Sequence, residues 1–491
     1  MEYNYNDDSL SESLRENTLT KLRLPLDVHS DMGALLEGLG ANTSIHEVNV
    51  DMYESFHSRE NADLEIMDLF RALAALPQLE RLWVDSGQED GPFYILPVQA
   101  LALVLQQAPC LVRLGLFEVE LLANTVDEWT QFQVALQSSP LQTLGLVGCR
   151  LSEEIIQLFE AQPNQEEAQE TANAPSTENT EGGSHALDKI VGQSLAKMPN
   201  LEWVELAAQE LGYLGTFSHS AIGTLCSSRR NTLTKLTLEK FDLVDSHIVA
   251  LSNGLETSTT IEQLTIMCEL GRVGCTALAQ LLFVNKSLNN FTLRLNDLYM
   301  DSPTNTNDGE EGTRAADNST SNKDPSILIA QALETNQTLQ YFCLHGNARI
   351  SHETQHKFAT ILRHNTTLLN CEVDLAHCSR LPEDLQLELN MFLELNELGR
   401  KELFLGSSDN THNTIAGQND NQEQRQHHES TPQRWVDVIW HVRHNLDSIF
   451  YLLSMNPALC DLSGAPLFPQ ARQQRPNFSG LSHLQIQYMI S

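Results

Sequence analysis

His427-His428-Glu429 sets three metal-ligating side-chain types in adjacent positions. His352 and His356 stand four apart, a spacing that puts two imidazoles on one face of a helix. These are the groupings that could hold a divalent cation. The first lies in a Gln- and Asn-rich stretch, 407–432, with nothing to fix a coordination geometry. The second reads as a pair of surface histidines. His345, His364 and His377 carry no triad-like spacing to a nucleophile and a carboxylate. G-x-G-x-x-G, G-x-x-x-x-G-K-[ST] and G-x-S-x-G do not occur, so neither a nucleotide cradle nor a nucleophile elbow is predicted. The expectation is a protein without catalytic residues, bound metal or cofactor.

What recurs instead is an apolar phrase, L-x-x-L-x-L. Copies begin at Leu19, Ile45, Leu79, Leu111, Leu141, Leu201, Leu233, Ile261, Leu288, Leu339 and Leu368. The usual interval is about 28 residues, room for one strand and one helix. Two intervals are longer: 60 residues from Leu141 to Leu201 and 51 from Leu288 to Leu339. Each contains a polar block, near 162–185 and near 301–325. Both blocks are too poor in apolar area to offset the entropy of ordering, so both are expected to be disordered. Between phrases, patterns such as the one from Ile327 put Ile329, Ala332 and Leu333 on one helical face. Asn42, Asn336 and Asn365 close such helices, and Asn285 fills the same slot. Asn is predicted there for its tolerance of the left-handed conformation. The predicted fold class is α/β. It is a leucine-rich-repeat solenoid (horseshoe) with a parallel inner β-sheet, outer helices and a helical C-terminal cap. Asn296 and Asn347, just past their strands, are predicted to bond backbone groups along the turns. Cys149 occupies that slot as a small buried hydrophobe.

The 491 residues carry 30 Lys and Arg against 65 Asp and Glu, a formal charge of -35. A phosphate backbone would be repelled, which argues against free nucleic acid as a partner. Nine cysteines, an odd number without C-x-x-C, fit reduced thiols. The opening MEYNYNDDSLSES has neither the basic region nor the apolar stretch of a secretory leader. No apolar run approaches the roughly 18 residues of a membrane span. A cytoplasmic protein is expected, with the nucleus also allowed.

Residues between the buried leucines of a strand point the other way. The candidate protein-binding residues are therefore Trp83, Asp85, Arg113, Phe117, Trp203, Glu205, Glu239, Arg294, Tyr341 and His345. Trp, Tyr and Arg are common anchors at protein interfaces. Other outward positions are Lys21, Arg23, Glu47, Asp51, Arg81, Lys235, Glu372 and Asp374. Their signs nearly balance, so the acid excess is assigned to helices and polar blocks, chiefly as an aid to solubility. A one-residue slip of register would reverse every assignment.

Beyond Cys371 the phrase loses regularity. Residues 385–396 read as a helix, the polar stretch 407–432 follows, and Val436, Ile439, Trp440 and Val442 form a further apolar face. A terminal repeat would expose its apolar edge to water. The predicted organisation is a repeat array over 1–380, a helical cap over 381–463 and an irregular tail over 464–491.

The phrase with Asn365-Thr-Thr-Leu368 at its helix-to-strand turn resembles the ribonuclease-inhibitor-type leucine-rich repeats, over about residues 14–380. Leu395-Asn-Glu-Leu-Gly-Arg-Lys-Glu-Leu403 and Phe450-Tyr-Leu-Leu-Ser-Met-Asn-Pro-Ala-Leu459 resemble the tail of leucine-rich-repeat proteins from diatoms and related algae. The resemblance implies a non-catalytic scaffold that binds a protein partner on its concave face. The alternative is a small-GTPase-activating regulator of the Ran-activating type, which shares the repeat type and the acidic character. Those regulators carry an acidic tail after the repeats, whereas the polar blocks here interrupt them.

Overall fold

In a computed structural model the described residues are 13–27, 30–57, 59–86, 94–152, 155, 192, 194–207, 219–227, 232–241, 243–298, 324–375, 382–398, 400, 438, 442 and 446–455. The expected polar stretches 162–185 and 407–432, the tail 464–491 and His427-His428-Glu429 lie outside them. So do 301–323 of the second block, and Val436, Ile439 and Trp440 of the C-terminal apolar face.

Eleven strands form one parallel sheet. They are β1 (Lys21–Leu26), β2 (Glu47–Met52), β3 (Arg81–Asp85), β5 (Arg113–Phe117), β7 (Thr143–Val147), β9 (Trp203–Ala207), β10 (Lys235–Glu239), β11 (Gln263–Leu270), β12 (Asn290–Leu298), β13 (Tyr341–Gly346) and β14 (Asn370–Leu375). Their order in the sheet is their order in the chain. Each starts two residues inside one of the eleven phrases. The register sets equivalent positions side by side, so that Leu82, Leu114, Leu144 and Val204 form one continuous row. Such rows are buried: Leu82, Leu114, Leu144 and Val204 are each no more than 2% exposed.

Helices follow the strands, among them Ala62–Ala74, Val98–Gln107, Val126–Ser138, Asp245–Thr257, Arg272–Val284, Ile327–Thr335 and His352–Thr360. Neighbours such as Asp245–Thr257 and Arg272–Val284 pack on one another. The sheet's buried rows meet the helices' buried faces. Phe291 of β12 contacts Phe342 of β13 at 5.9 Å between ring centroids, and Phe342 stacks on Phe358 of the helix His352–Thr360, also at 5.9 Å. Ile329, Ala332 and Leu333 are buried, the face their spacing marks.

A second, three-stranded parallel ladder was not foreseen: β4 (Tyr94–Pro97), β6 (Val119–Leu122) and β8 (Arg150–Leu151). These strands carry only one or two buried apolar residues each, such as Val119 and Leu121, too few to display a period.

The asparagine turns have a different cause from the one expected. Asn42, Asn285 and Asn336 end their helices in extended backbone, at φ/ψ of -87/138°, -67/136° and -65/133°. They do not adopt the left-handed conformation. Extended backbone carries the chain straight into the next strand and leaves two amide hydrogens unpaired, which the side chain then satisfies. The Ser287 and Leu288 N–H groups donate to Asn285 Oδ1 at 2.9 and 2.7 Å, and Asn285 Nδ2 donates to the Leu255 carbonyl of the preceding repeat at 2.7 Å. Asn42, Asn336 and Asn365 repeat this arrangement. Asn296 and Asn347, expected to serve the turns, form no side-chain hydrogen bond among the described residues, and Asn347 is exposed. Asn296 lies inside β12; the turns after β5, β7, β10 and β13 use left-handed residues instead: Glu118, Gly148, Lys240 and Gly346, at φ 56°, 65°, 60° and 130°. A Cβ at Gly346 would meet the Leu295 carbonyl oxygen, so the position requires glycine. Cys149 is buried, and its thiol donates to the Leu116 carbonyl at 3.3 Å.

The chain divides into two compact units, Met1–Leu385 and Gln386–Ser491. In the second, Phe392 meets Tyr451 edge-on at 5.0 Å, and the buried Arg400 guanidinium lies 4.8 Å from the Phe392 ring centroid. Burial lowers the Arg400 pKa, and contact with Tyr451 opposes the shift. No described helix is long and apolar enough to cross a membrane.

Candidate functional site

All ten candidate residues lie on the side of the main sheet opposite its buried rows. Trp83 stands between buried Leu82 and Val84, Phe117 follows buried Leu116, Trp203 precedes buried Val204, and Tyr341 and His345 flank buried Phe342 and Leu344. Arg113, Arg294 and Tyr341 are exposed; Trp83, Asp85, Phe117, Trp203, Glu205, Glu239 and His345 are half-buried by neighbours along the face.

Register gathers the first group. Trp83 is paired with Gly115, and Asp85 with Phe117. The Trp83 ring lies across Gly115, where a Cβ would fall against its Cε3 and Cζ3 atoms. It meets Phe117 at 5.9 Å between centroids, tilted 41°. Glycine in mid-strand forfeits side-chain packing and marks places where another group comes close to the backbone. At Gly115 that group is Trp83. Gly145, its partner on β7, is different: a Cβ there would meet only the Gly115 Cα, at 3.8 Å. Both glycines are buried, Gly115 under the Trp83 ring, and Glu205 is paired with Gly145 on the next strand. On the same face the Lys235 ammonium sits 3.7 Å from the Trp203 ring centroid, a cation–π contact worth about 0.5–1 kcal/mol at a half-exposed site. Trp203 Nε1 has no acceptor among the described residues.

Several charges on the face are paired within it. Glu47 pairs with Lys21 at 3.1 Å and with Arg81 at 3.2 Å; Arg23 bonds Asp51 at 2.5 Å; Arg294 reaches over β11 to Glu239 at 2.9 Å. Pairs this exposed contribute little stability.

The second group, around Tyr341 and His345, holds more than was expected. Cys343 lies between them on β13, and Glu372 faces Cys343 from β14. The Cys343 sulfur, an imidazole nitrogen of His345 and a Glu372 carboxylate oxygen all lie within 4.8 Å of one another. Burial, and then the Glu372 charge, raise the Cys343 pKa. Reading along the chain missed this trio because its members come together only across strands. It also passed over the fact that His352-Glu353-Thr354-Gln355-His356 matches H-E-x-x-H, a zinc-protease pattern. Both histidines and Glu353 are exposed on the helix, and no third ligand joins them among the described residues. A hydrolytic zinc needs three protein ligands and a cleft for substrate. An open depression of about 450 Å³ at the helix ends, lined in part by Leu105, Pro109, Gln137 and Pro199, contains no titratable side chain.

No family model and no curated protein match the chain. Among solved structures it is similar to one described as leiomodin-1 actin-binding site 2, with 17% identity, a TM-score of 0.29, and coverage of 38% of this chain and 94% of that one.

Proposed function

We propose that the protein is a non-catalytic scaffold that binds a protein partner on the open face of its main sheet. In this reading the eleven strands and their helices form a leucine-rich-repeat solenoid of the ribonuclease-inhibitor type, curved as a horseshoe with the sheet on its concave side. The protein works in the cytoplasm or nucleus. The supporting observation is the aromatic group on that face: Trp83 held on Gly115, with Phe117 beside it and Trp203 two strands further on. Half-exposed aromatics gathered on one face are common interface anchors. The test is affinity capture with the intact chain against the Trp83→Ala/Trp203→Ala variant. Specific loss of a prey in the variant supports the reading, and retention of every prey refutes it.

The charge of -35 favours one second reading, a small-GTPase-activating regulator. Stimulation of GTP hydrolysis by the purified protein separates it from a passive scaffold.

A further inference from the structure

We propose that Cys343, His345 and Glu372 form a binding site for a borderline-soft divalent cation of the zinc type. The site goes beyond the scaffold reading and does not depend on it.

The geometry carries the proposal. Three ligand atoms of three different kinds lie within 4.8 Å of one another, with the Cys343 sulfur 4.0 Å from Glu372 Oε2. Tetrahedral coordination at about 2.3 Å to sulfur and about 2.1 Å to nitrogen or oxygen puts ligand atoms roughly 3.5 Å apart. Closing that gap takes side-chain rotation on a fixed backbone. Cys343 and His345 are two apart on β13, so both project from one face, anchored by buried Phe342 and Leu344 on either side of Cys343. Glu372 is held opposite Cys343 by the ladder. Sites carried on strands keep their geometry better than sites on loops.

The surrounding charge also suits a cation. Arg294 is in register with His345, but its guanidinium is committed to Glu239, two strands away. Asp374 is in register with His345 on the other side, and adjacent strands are only about 4.8 Å apart. It is the fourth vertex of the rectangle of paired residues, though its carboxylate is not one of the three clustered groups. A sulfur–nitrogen–oxygen donor set favours zinc, or cobalt as its spectroscopic substitute. Magnesium and calcium prefer oxygen alone. On binding, the metal takes the place of the Cys343 thiol proton, which leaves to water.

The test is titration of the full chain with Co²⁺ alone. A thiolate-to-cobalt charge-transfer band with tetrahedral d–d absorption is expected, abolished by excess Zn²⁺. Cys343→Ser should remove the charge-transfer band. Loss of a supporting residue around a metal costs about 10–100-fold in affinity, so His345→Ala should weaken binding at least tenfold. His352→Ala, His356→Ala and Cys110→Ser should leave the band unchanged. A measurement on the unaltered protein guards against a variant that fails to fold: Zn²⁺ should slow alkylation of Cys343, read by peptide mass spectrometry. Absence of a thiolate band, its persistence in Cys343→Ser, or alkylation of Cys343 indifferent to Zn²⁺ would each overturn the site. None of these results bears on capture of a protein partner.

Discussion

Replacing Asn365 by alanine should loosen the far end of the sheet far more than replacing Asn347, although both are asparagines beside a strand. Asn365 is fully buried. Its Nδ2 donates to the Leu333 carbonyl at 2.7 Å and the Asn336 carbonyl at 2.9 Å, while its Oδ1 accepts from the Thr367 and Leu368 N–H groups, each at 2.9 Å. Alanine removes these four bonds, and the one from the Thr367 hydroxyl to Oδ1 at 3.2 Å, and leaves the backbone partners in place. At about 0.5–1.5 kcal/mol per bond, with buried partners stranded, the loss is about 3–5 kcal/mol. At 1.4 kcal/mol per tenfold, amides of β14 should exchange with solvent roughly 10² to several 10³ times faster. Asn347 is exposed and makes no side-chain bond among the described residues, so Asn347→Ala should stay within about 0.5 kcal/mol of the parent. Hydrogen-exchange mass spectrometry on peptides spanning 365–375 reads the difference directly. Equal protection in the two variants would refute the assignment of the turns to side-chain amides.

Gly115→Ala should destabilise by about 1–3 kcal/mol, because the new methyl group displaces the Trp83 ring, whereas Gly145→Ala should be neutral or stabilise by about 0.5–1 kcal/mol; urea unfolding checks both. Gly346→Ala combines a clash against the Leu295 carbonyl with an unfavourable φ of 130°, and should lower the thermal midpoint more than Gly115→Ala does. Burial pushes the Cys149, Cys226 and Cys371 thiols up to about 12 from 9.0. Above pH 9 the unfolded chain releases these protons and the folded one keeps them. Stability is therefore fully present below pH 9 and should fall by about 1.4 kcal/mol per pH unit per thiol between 9 and 12. A urea midpoint identical at pH 8 and pH 10.5 would contradict this. Before unfolding, a thiol reagent should label exposed Cys110 and leave Cys149, Cys226, Cys268 and Cys275 untouched.

Much of the sheet was legible because its signal is local. An L-x-x-L-x-L phrase shows both where a strand runs and which residues face away from the core, so Trp83, Phe117 and Trp203 could be placed on one face without coordinates. The asparagine slots were legible as positions but not in mechanism, since choosing between left-handed and extended backbone depends on the carbonyl that the previous repeat offers. What stayed hidden is whatever depends on a neighbouring strand. Gly115 looks like a weak strand residue until Trp83, from the preceding phrase, is laid across it. Cys343 and Glu372 are 29 residues apart and become neighbours only through the register of β13 and β14. The small ladder of β4, β6 and β8 is too short to show any period.

The most direct test of the scaffold proposal is site-specific photo-crosslinking in cells from two positions of the intact chain. One replaces Glu205, two residues from Trp203 on β9; the other replaces Val273, 60% exposed on the helix Arg272–Val284. A protein adduct formed from position 205 and lost when Trp83→Ala is added is the expected result. Adducts confined to position 273, with none from the sheet face, would contradict it.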